Sequence, residues 1–316
     1  MAAQERIRFG VTPIQTGVGF ERIRRIVLAA EALGYESVWL NDHFFTSTYF
    51  YPLPPPSAPY YECWTTLASL AAITKTIRLG TLCANVGFRS PALLAKMAAC
   101  LDVISGGRLE LGLGAGWFRE EHTAYGFPFP NTAERAQMLE EAVRIIRGMW
   151  QEEKFSFRGR HYAVEEAYCS PKPVQTPHPP IGIGARGSRI MLRVVAGCAD
   201  HWNIQTPLTP KQYKRKVEFL ERHCQDLQRD PETISRSIWA GVIIAEDERD
   251  FADVVRRLNP PHPAYLESRI AGVPERCIEI VQEYVNLGVS LFVLYFTVDE
   301  LRSLEIFAQR VIPAFR

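Results

Sequence analysis

The sequence has little net charge and no long apolar run. Its 36 lysines and arginines are balanced by 35 acidic residues, so the formal net charge is +1, and no global field attracts nucleic acid or an anionic membrane. No apolar run approaches the roughly 18 residues that span a bilayer, and Met1–Arg6 lacks an apolar signal-peptide region. We therefore expect a cytoplasmic protein with no nucleic-acid and no membrane partner.

Disulfide and metal motifs are also missing. The seven cysteines are an odd number and none lies in a C-x-x-C pair, which argues against a disulfide framework and against a zinc site. The histidines have no metal-ligand spacing either. We expect reduced thiols in a reducing compartment and no bound metal.

The sequence does contain enough apolar material for a large core, since 47% of its 316 residues are hydrophobic. Strand-like apolar runs alternate with longer segments of helical period. The eight predicted strands are Ile7–Thr12, Ser37–Leu40, Ile77–Cys83, Leu109–Leu113, Ile181–Ile183, Trp202–Ile204, Ile238–Ala245 and Val289–Phe296. Alternating β and α segments imply a parallel sheet, and eight pairs in a chain of this length favour an α/β fold of the (β/α)8 TIM-barrel type over a doubly wound sheet.

Residues 152–180 interrupt the alternation. Phe155, Phe157 and Tyr162 alternate as in a hairpin, and five prolines follow. We predict an inserted hairpin and loop before strand five, within a single domain that covers residues 1–316. Local signals also predict helix ends: Gly34 as a C-cap, Ser90 and Pro91 as an N-terminus, and a capping box from Asn131 to Glu134.

In such barrels the chemistry sits on the loops after the strand C-termini. Asp42 and His43 follow strand two, where a carboxylate and an imidazole that titrates near neutrality suit acid/base work; both could instead cap a turn. The glycines of Gly112–Trp117 let a flat group approach the backbone, or form a bulge. Glu120, Glu121 and His122 then open a helical segment, where they are either solvated or line the mouth.

The segment Gly182–Gly187 matches G-x-G-x-x-G and precedes a helix. A Rossmann dinucleotide site is disfavoured, because the preceding strand is short, the motif lies mid-chain and Asp200 begins the next strand. A glycine-rich turn at a helix N-terminus near Ser188, with Arg186 beside it, still predicts an anion site for a phosphate-bearing cofactor or substrate. The alternative is a plain tight turn.

Several segments together resemble the luciferase-like monooxygenase superfamily, and within it the branch that uses the deazaflavin coenzyme F420. The likeness covers nearly the whole chain. The segments that carry it are Ala32–Trp39 with Asp42 and His43, Ile77–Thr81, Arg89–Lys96, Leu101–Leu109, Gly112–Trp117 and Pro171–Gln175.

The resemblance implies a (β/α)8 barrel with an insertion near strand five and a cofactor ring at its C-terminal mouth. It implies a non-proline cis peptide at Leu82–Cys83 beneath the ring, and His43 as proton donor or acceptor with Asp42 orienting the ring or the imidazole. The cofactor-binding residues that it implies are Asp42, Thr81, Leu82, Cys83, Asn85, Glu120, Gly184, Ala185, Arg186, Gly187 and Ser188. We also expect a homodimer.

We therefore expect an F420-dependent oxidoreductase that moves a hydride between the deazaflavin and a small-molecule substrate. Trp117 occupies the position where the branch's sugar-phosphate dehydrogenases carry an acid, so that activity is not expected. An FMN-dependent monooxygenase and a non-catalytic flavin- or ligand-binding barrel remain alternatives, with an NAD-linked dehydrogenase the weakest. Substrate identity depends on the loop Tyr49–Tyr61 and on the insertion.

Overall fold

The computed structural model describes residues 6–47, 54–187, 189–205, 208–262 and 264–316. Its strands, numbered along the chain, are β1 (Arg8–Val11), β2 (Ser37–Leu40), β3 (Arg78–Thr81), β4 (Ala84–Asn85), β5 (Leu109–Gly114), β6 (Lys154–Arg158), β7 (Ala163–Tyr168), β8 (Ile181–Gly184), β9 (His201–Gln205), β10 (Ser235–Ile244), β11 (Ile270–Gly272) and β12 (Leu291–Phe296).

The helices surround these strands. They are α1 (Phe20–Ala32), α2 (Cys63–Ile73), α3 (Pro91–Ser105), α4 (Arg119–Ala124), α5 (Thr132–Gln151), α6 (Arg189–Cys198), α7 (Pro210–Asp226), α8 (Glu248–Leu258), α9 (Ala264–Glu267), α10 (Pro274–Val285) and α11 (Glu300–Arg310), and 3-10 turns lie at Pro231–Thr233 and Ile312–Phe315. No helix in the described ranges is long and apolar enough to cross a membrane.

Eight parallel strands close into a barrel. The order β1, β2, β3, β5, β8, β9, β10 and β12 returns to β1, where Arg8 to Val11 pair with Leu291 to Leu294. The predicted (β/α)8 barrel is therefore confirmed. Two short parallel strands missed by the sequence reasoning extend it, because β4 pairs with β5 and β11 with β10. The predicted hairpin is present as the antiparallel pair β6–β7.

The helix ends follow the local signals. Gly34 adopts a left-handed φ of +81° just beyond α1, Ser90 accepts the Leu93 amide with Pro91 at the first turn of α3, and Asn131 and Glu134 form a reciprocal capping box on α5. Each device satisfies backbone groups that a helix end leaves unpaired. Residues close in the chain therefore set where these helices begin and end.

A large indole, that of Trp39, is buried in the barrel interior. Trp39 of β2 is 2% exposed and its Nε1 donates to Ser37 Oγ at 2.8 Å. A Cβ on Gly80 would lie 2.2 Å from the Trp39 ring, so the glycine makes room for the indole. Below it, Glu110 bridges Arg8 and Arg78 at 3.0 and 2.6 Å. The interior is packed, and chemistry is left to the C-terminal mouth.

Candidate active site

Asp42 lies buried at the end of β2. Its carboxylate accepts both Arg89 Nη atoms at 2.7 and 3.0 Å and the Asn85 amide at 2.9 Å. Arg89 also pairs with Glu62 at 2.7 Å, and Glu62 caps α2 through the Trp64 amide. Burial raises the pKa of the Asp42 carboxyl, and Arg89 and the Asn85 amide oppose that shift. Asp42 thus ties the end of β2 to β4.

His43 pairs with Glu121 of α4. The His43 Nδ1 to Glu121 Oε2 distance is 2.8 Å, and Glu121 Oε1 accepts the Phe44 amide at 2.5 Å. Glu121 is fully buried, whereas the His43 side chain is 26% exposed. A carboxylate only accepts, so it places the proton on Nδ1 and leaves Nε2, across the ring, without a proton.

Sequence reasoning did not single out Glu121 from its neighbours. Glu120, to which the resemblance assigns a cofactor contact, is exposed on the same helix. The signal that could have separated them is helical spacing, because Phe118, Glu121 and His122 stand at i, i+3 and i+4 and share one face. All three are buried.

The expected cis peptide between Leu82 and Cys83 is present, between β3 and β4. Leu82 packs against Trp39 in the barrel interior. Cys83 is half-buried, and a Cβ on Gly184 would lie 2.4 Å from its Sγ. Burial raises the pKa of the Cys83 thiol to about 12, so the thiol is protonated at neutral pH. The bulge and the β8 turn are therefore direct neighbours.

Two other predicted cofactor residues make internal contacts. Thr81 Oγ1 donates to the Gly112 carbonyl at 2.7 Å and accepts the Gly112 amide at 3.0 Å, so the hydroxyl joins β3 to β5. Asn85 contacts buried His122, whose Nδ1 lies 2.9 Å from the Pro128 carbonyl. Because a carbonyl only accepts, His122 Nδ1 carries the proton, and burial lowers the pKa of this imidazole. Both hydrogen-bond networks stabilise the loops and strand ends at the C-terminal mouth of the barrel.

The turn after β8 is basic. Arg186 is exposed, Gly187 has a φ of +88°, and Lys216 of α7 donates to the Gly187 carbonyl at 3.1 Å. Ala185 is buried and its carbonyl accepts Trp202 Nε1 at 3.0 Å. In the described ranges neither Arg186 nor Lys216 pairs with a carboxylate. Ser188 and part of the loop Tyr49–Tyr61 lie outside the described residues.

These groups meet at one end of the barrel, after the C-termini of β2, β3, β5 and β8. A histidine–carboxylate pair, a backbone bulge and a basic turn are chemically suited to a phosphate-bearing redox cofactor and its substrate. No group of three or more His, Cys, Asp or Glu side chains in the described part of the chain could hold a metal ion.

Comparison with known proteins shows the family of the chain. The luciferase-like monooxygenase profile matches residues 6–269, and the chain belongs to this family. A phthiodiolone/phenolphthiodiolone dimycocerosates ketoreductase of Mycobacterium tuberculosis (strain ATCC 25618 / H37Rv) is 30% identical over 246 residues, which cover 73% of this chain and 63% of the ketoreductase. The chain thus matches less than two thirds of that relative's length.

Two further matched proteins are named for different cofactors. An FMNH(2)-dependent dimethylsulfone monooxygenase of Pseudomonas putida is 25% identical, with 93% of this chain and 87% of that protein covered. A solved F420-dependent secondary alcohol dehydrogenase in complex with an F420-acetone adduct superposes with a TM-score of 0.84 and 19% identity, covering 98% of this chain and 99% of that one. This last likeness concerns the fold.

Proposed function

We propose that this protein is a coenzyme F420-dependent oxidoreductase acting on an alcohol or ketone. The observation that carries the proposal is the His43–Glu121 pair at 2.8 Å, which leaves a partly exposed imidazole at the barrel mouth with Nε2 as its proton-accepting nitrogen. The F420-type segments in the sequence and the 30% identical ketoreductase support it. When bound, the deazaflavin would supply or accept the hydride.

The basic turn fits the cofactor's phosphate. Arg186 and Lys216 are cations without carboxylate partners in the described residues, and the left-handed φ at Gly187 turns the chain ahead of α6. A phosphate there gains from both the cations and the helix N-terminus. Cys83 and Gly184 would lie beneath the ring, and Glu120 stays a predicted polar contact.

His43 is the proposed acid/base group. Its neutral Nε2 takes the proton from a substrate hydroxyl during oxidation, and protonated Nε2 returns a proton during ketone reduction. Glu121 holds the ring and its tautomer. Asp42 is proposed as a positioning residue, because its carboxylate contacts Arg89 and the Asn85 amide.

The test is titration of the purified protein with F420, FMN and NAD(P), followed by fluorescence. We expect the wild-type protein to bind F420 tightly and Arg186→Met to bind it at least tenfold more weakly. The His43→Ala protein should bind F420 normally but turn over at least 100-fold more slowly. His161→Ala, in the hairpin loop, is the control. Tight binding of FMN without binding of F420 would favour the alternative function, an FMN-dependent monooxygenase. The 25% identity to the dimethylsulfone monooxygenase supports that alternative. Binding without turnover would favour a ligand-binding barrel.

We also propose a homodimer built on α2 and α3. An apolar stripe runs along the outer side of α3 at i, i+4, i+7 and i+11, with Leu93 53% and Ile104 57% exposed. The stripe consists of Leu93, Met97, Cys100 and Ile104. The sequence of α2 contains no charged residue. A continuous apolar face of this kind is typical of an isologous interface.

Light scattering coupled to size exclusion tests this interface. Ile104→Glu should convert the dimer to a monomer, and Tyr168→Glu on the hairpin, 62% exposed, should not. A wild-type monomer at micromolar concentration would refute the proposal. The seven free thiols support a cytoplasmic location, where cysteines stay reduced.

A further inference from the structure

We propose that the substrate is an uncharged, apolar secondary alcohol or ketone whose hydrocarbon part packs on Trp117. The inference deepens the proposed function and rests on it for the identity of the reacting group. It depends on three observations at the mouth: the rings around His43, the exposure of Trp117 and the charge of the surroundings.

Three aromatic rings stand edge-on to the His43 imidazole. The ring-centroid distances are 5.8 Å to Trp117, 6.2 Å to Phe118 and 6.4 Å to Tyr60, with interplanar angles of 78°, 68° and 83°. Trp117 and Phe118 are stacked at 5.2 Å and 17°. A carbinol carbon brought to His43 Nε2 therefore places its substituents against aromatic carbon.

Trp117 offers the largest open part of that surface. Its residue is 48% exposed, whereas Phe118 beneath it is 4% exposed. The other tryptophans are half-buried or buried, with Trp64 at 5% and Trp150 at 4%. Because the Trp117 indole is exposed to water, it lacks the stabilisation that burial gives an apolar ring. A hydrocarbon bound against it would supply that burial.

The aromatic surface continues away from His43. Phe118 meets Phe45 at 5.3 Å, Phe45 meets Tyr125 at 6.3 Å, and Tyr125 stacks on Phe44 at 4.3 Å. Tyr125 is 53% exposed. We call Trp117, Phe118, Phe45 and Tyr125 the aromatic shelf. Its extent suits a chain of several methylenes better than a two-carbon substituent.

The charges near the shelf oppose an anionic substrate. Glu121 places a carboxylate 2.8 Å from His43. Arg89 is paired with Asp42 and Glu62, and the guanidinium groups of Arg119 and Arg135 lie over the ring of Phe129 at 4.6 and 4.0 Å. In the described residues, the charged group that contacts His43 directly is therefore the Glu121 carboxylate, which repels a substrate carboxylate or phosphate.

The first experiment measures binding without turnover. Acrylamide quenching of tryptophan fluorescence should fall when 2-octanone is added, because the ligand covers Trp117. Trp117→Phe should abolish this protection while retaining affinity within threefold, and Trp117→Ala should weaken 2-octanone binding about tenfold. Tyr168→Ala, an exposed ring on the hairpin, is the matched control and should change nothing. Unchanged quenching with saturating 2-octanone would overturn the proposal.

The second experiment varies the substrate. Along the ketones from 2-butanone to 2-octanone, kcat/KM should rise about fourfold per methylene, the value for a buried CH₂, and Trp117→Ala should flatten the series. Levulinate, an anionic analogue of 2-hexanone, should be at least 100-fold poorer. Equal use of levulinate and 2-hexanone would overturn the proposal. If 2-octanone protects Trp117 from quenching but the protein shows no turnover with F420, the proposed function is refuted, and binding of apolar ligands on the aromatic shelf still stands.

Discussion

The substitution Glu121→Gln tests the proposed proton-transfer pair most directly. Both carboxylate oxygens of Glu121 accept, one from the Phe44 amide and one from His43 Nδ1. A glutamine has a single acceptor. The Phe44 amide cannot stop donating, so the Gln oxygen turns to it and the Gln NH₂ faces Nδ1. His43 must then accept at Nδ1 and carry its proton on Nε2.

The expected loss of activity follows from the hydrogen bond between His43 Nδ1 and Glu121, whose direction the substitution reverses. A hydrogen bond to a charged group is worth roughly 1.5–3 kcal/mol, so in the wild type the ratio of the two neutral tautomers of His43 favours Nδ1–H. The glutamine inverts this ratio and removes the acceptor at Nε2. Alcohol oxidation should lose about 10² in kcat/KM, the lower end of general-base contributions, with F420 affinity unchanged.

Long-range ¹H–¹⁵N NMR of the imidazole nitrogens reads the tautomer without any substrate, and stopped-flow deazaflavin reduction with 2-octanol reads the rate. Glu165→Gln, an exposed glutamate on the hairpin strand β7, is the control and should alter neither signal. An unchanged tautomer in Glu121→Gln together with a wild-type rate would show that the pair does not position His43. A loss of rate with an unchanged tautomer would assign Glu121 a different role.

Three further predictions concern the turn and the barrel. Lys216→Met should weaken F420 binding about tenfold and reduce its salt dependence in fluorescence titrations, whereas Lys214→Met on the same helix should not. Burial lowers the pKa of His201 to about 4 in the folded protein, whereas the unfolded value is about 6.5. The unfolded chain therefore binds the proton first as the pH falls from 6.5 to 4, and the free energy of unfolding should drop by about 3 kcal/mol over that range in urea melts. The His201→Gln protein should lose correspondingly less. Gly80→Ala should destabilise by roughly 1–3 kcal/mol in the same assay, because its Cβ would lie 2.2 Å from the buried indole. Gly197→Ala within α6, whose Cβ would meet only Leu227 Cδ1 at an ordinary 3.8 Å, should not destabilise.

Much of the framework could be predicted from the sequence. The strand runs, Gly34 beyond α1 and the Ser90 cap of α3 depend on residues close in the chain, and the structure has each of them. The position of Asp42 and His43 at a strand end follows from the same periodicity. The cis peptide at Leu82–Cys83 was expected from the family resemblance instead of from any local signal.

The partners of those site residues could not be predicted in the same way. Asp42 meets Arg89 across 47 residues and His43 meets Glu121 across 78, and both contacts exist because barrel closure brings neighbouring loops together. The choice of Glu121 over Glu120 depends on which side of α4 faces the mouth. Thr81, expected at the cofactor, uses its hydroxyl to join two strands.

By itself, the sequence determined the succession of strands and helices, the capping of the helices and the balance of charge, because periodicity and capping act between residues a few positions apart. The tertiary structure alone decided which carboxylate holds His43, which arginine neutralises Asp42 and which indole stays open at the mouth. Those contacts depend on the geometry of a closed barrel, where strand order and side-chain direction set the distances between residues far apart in the chain.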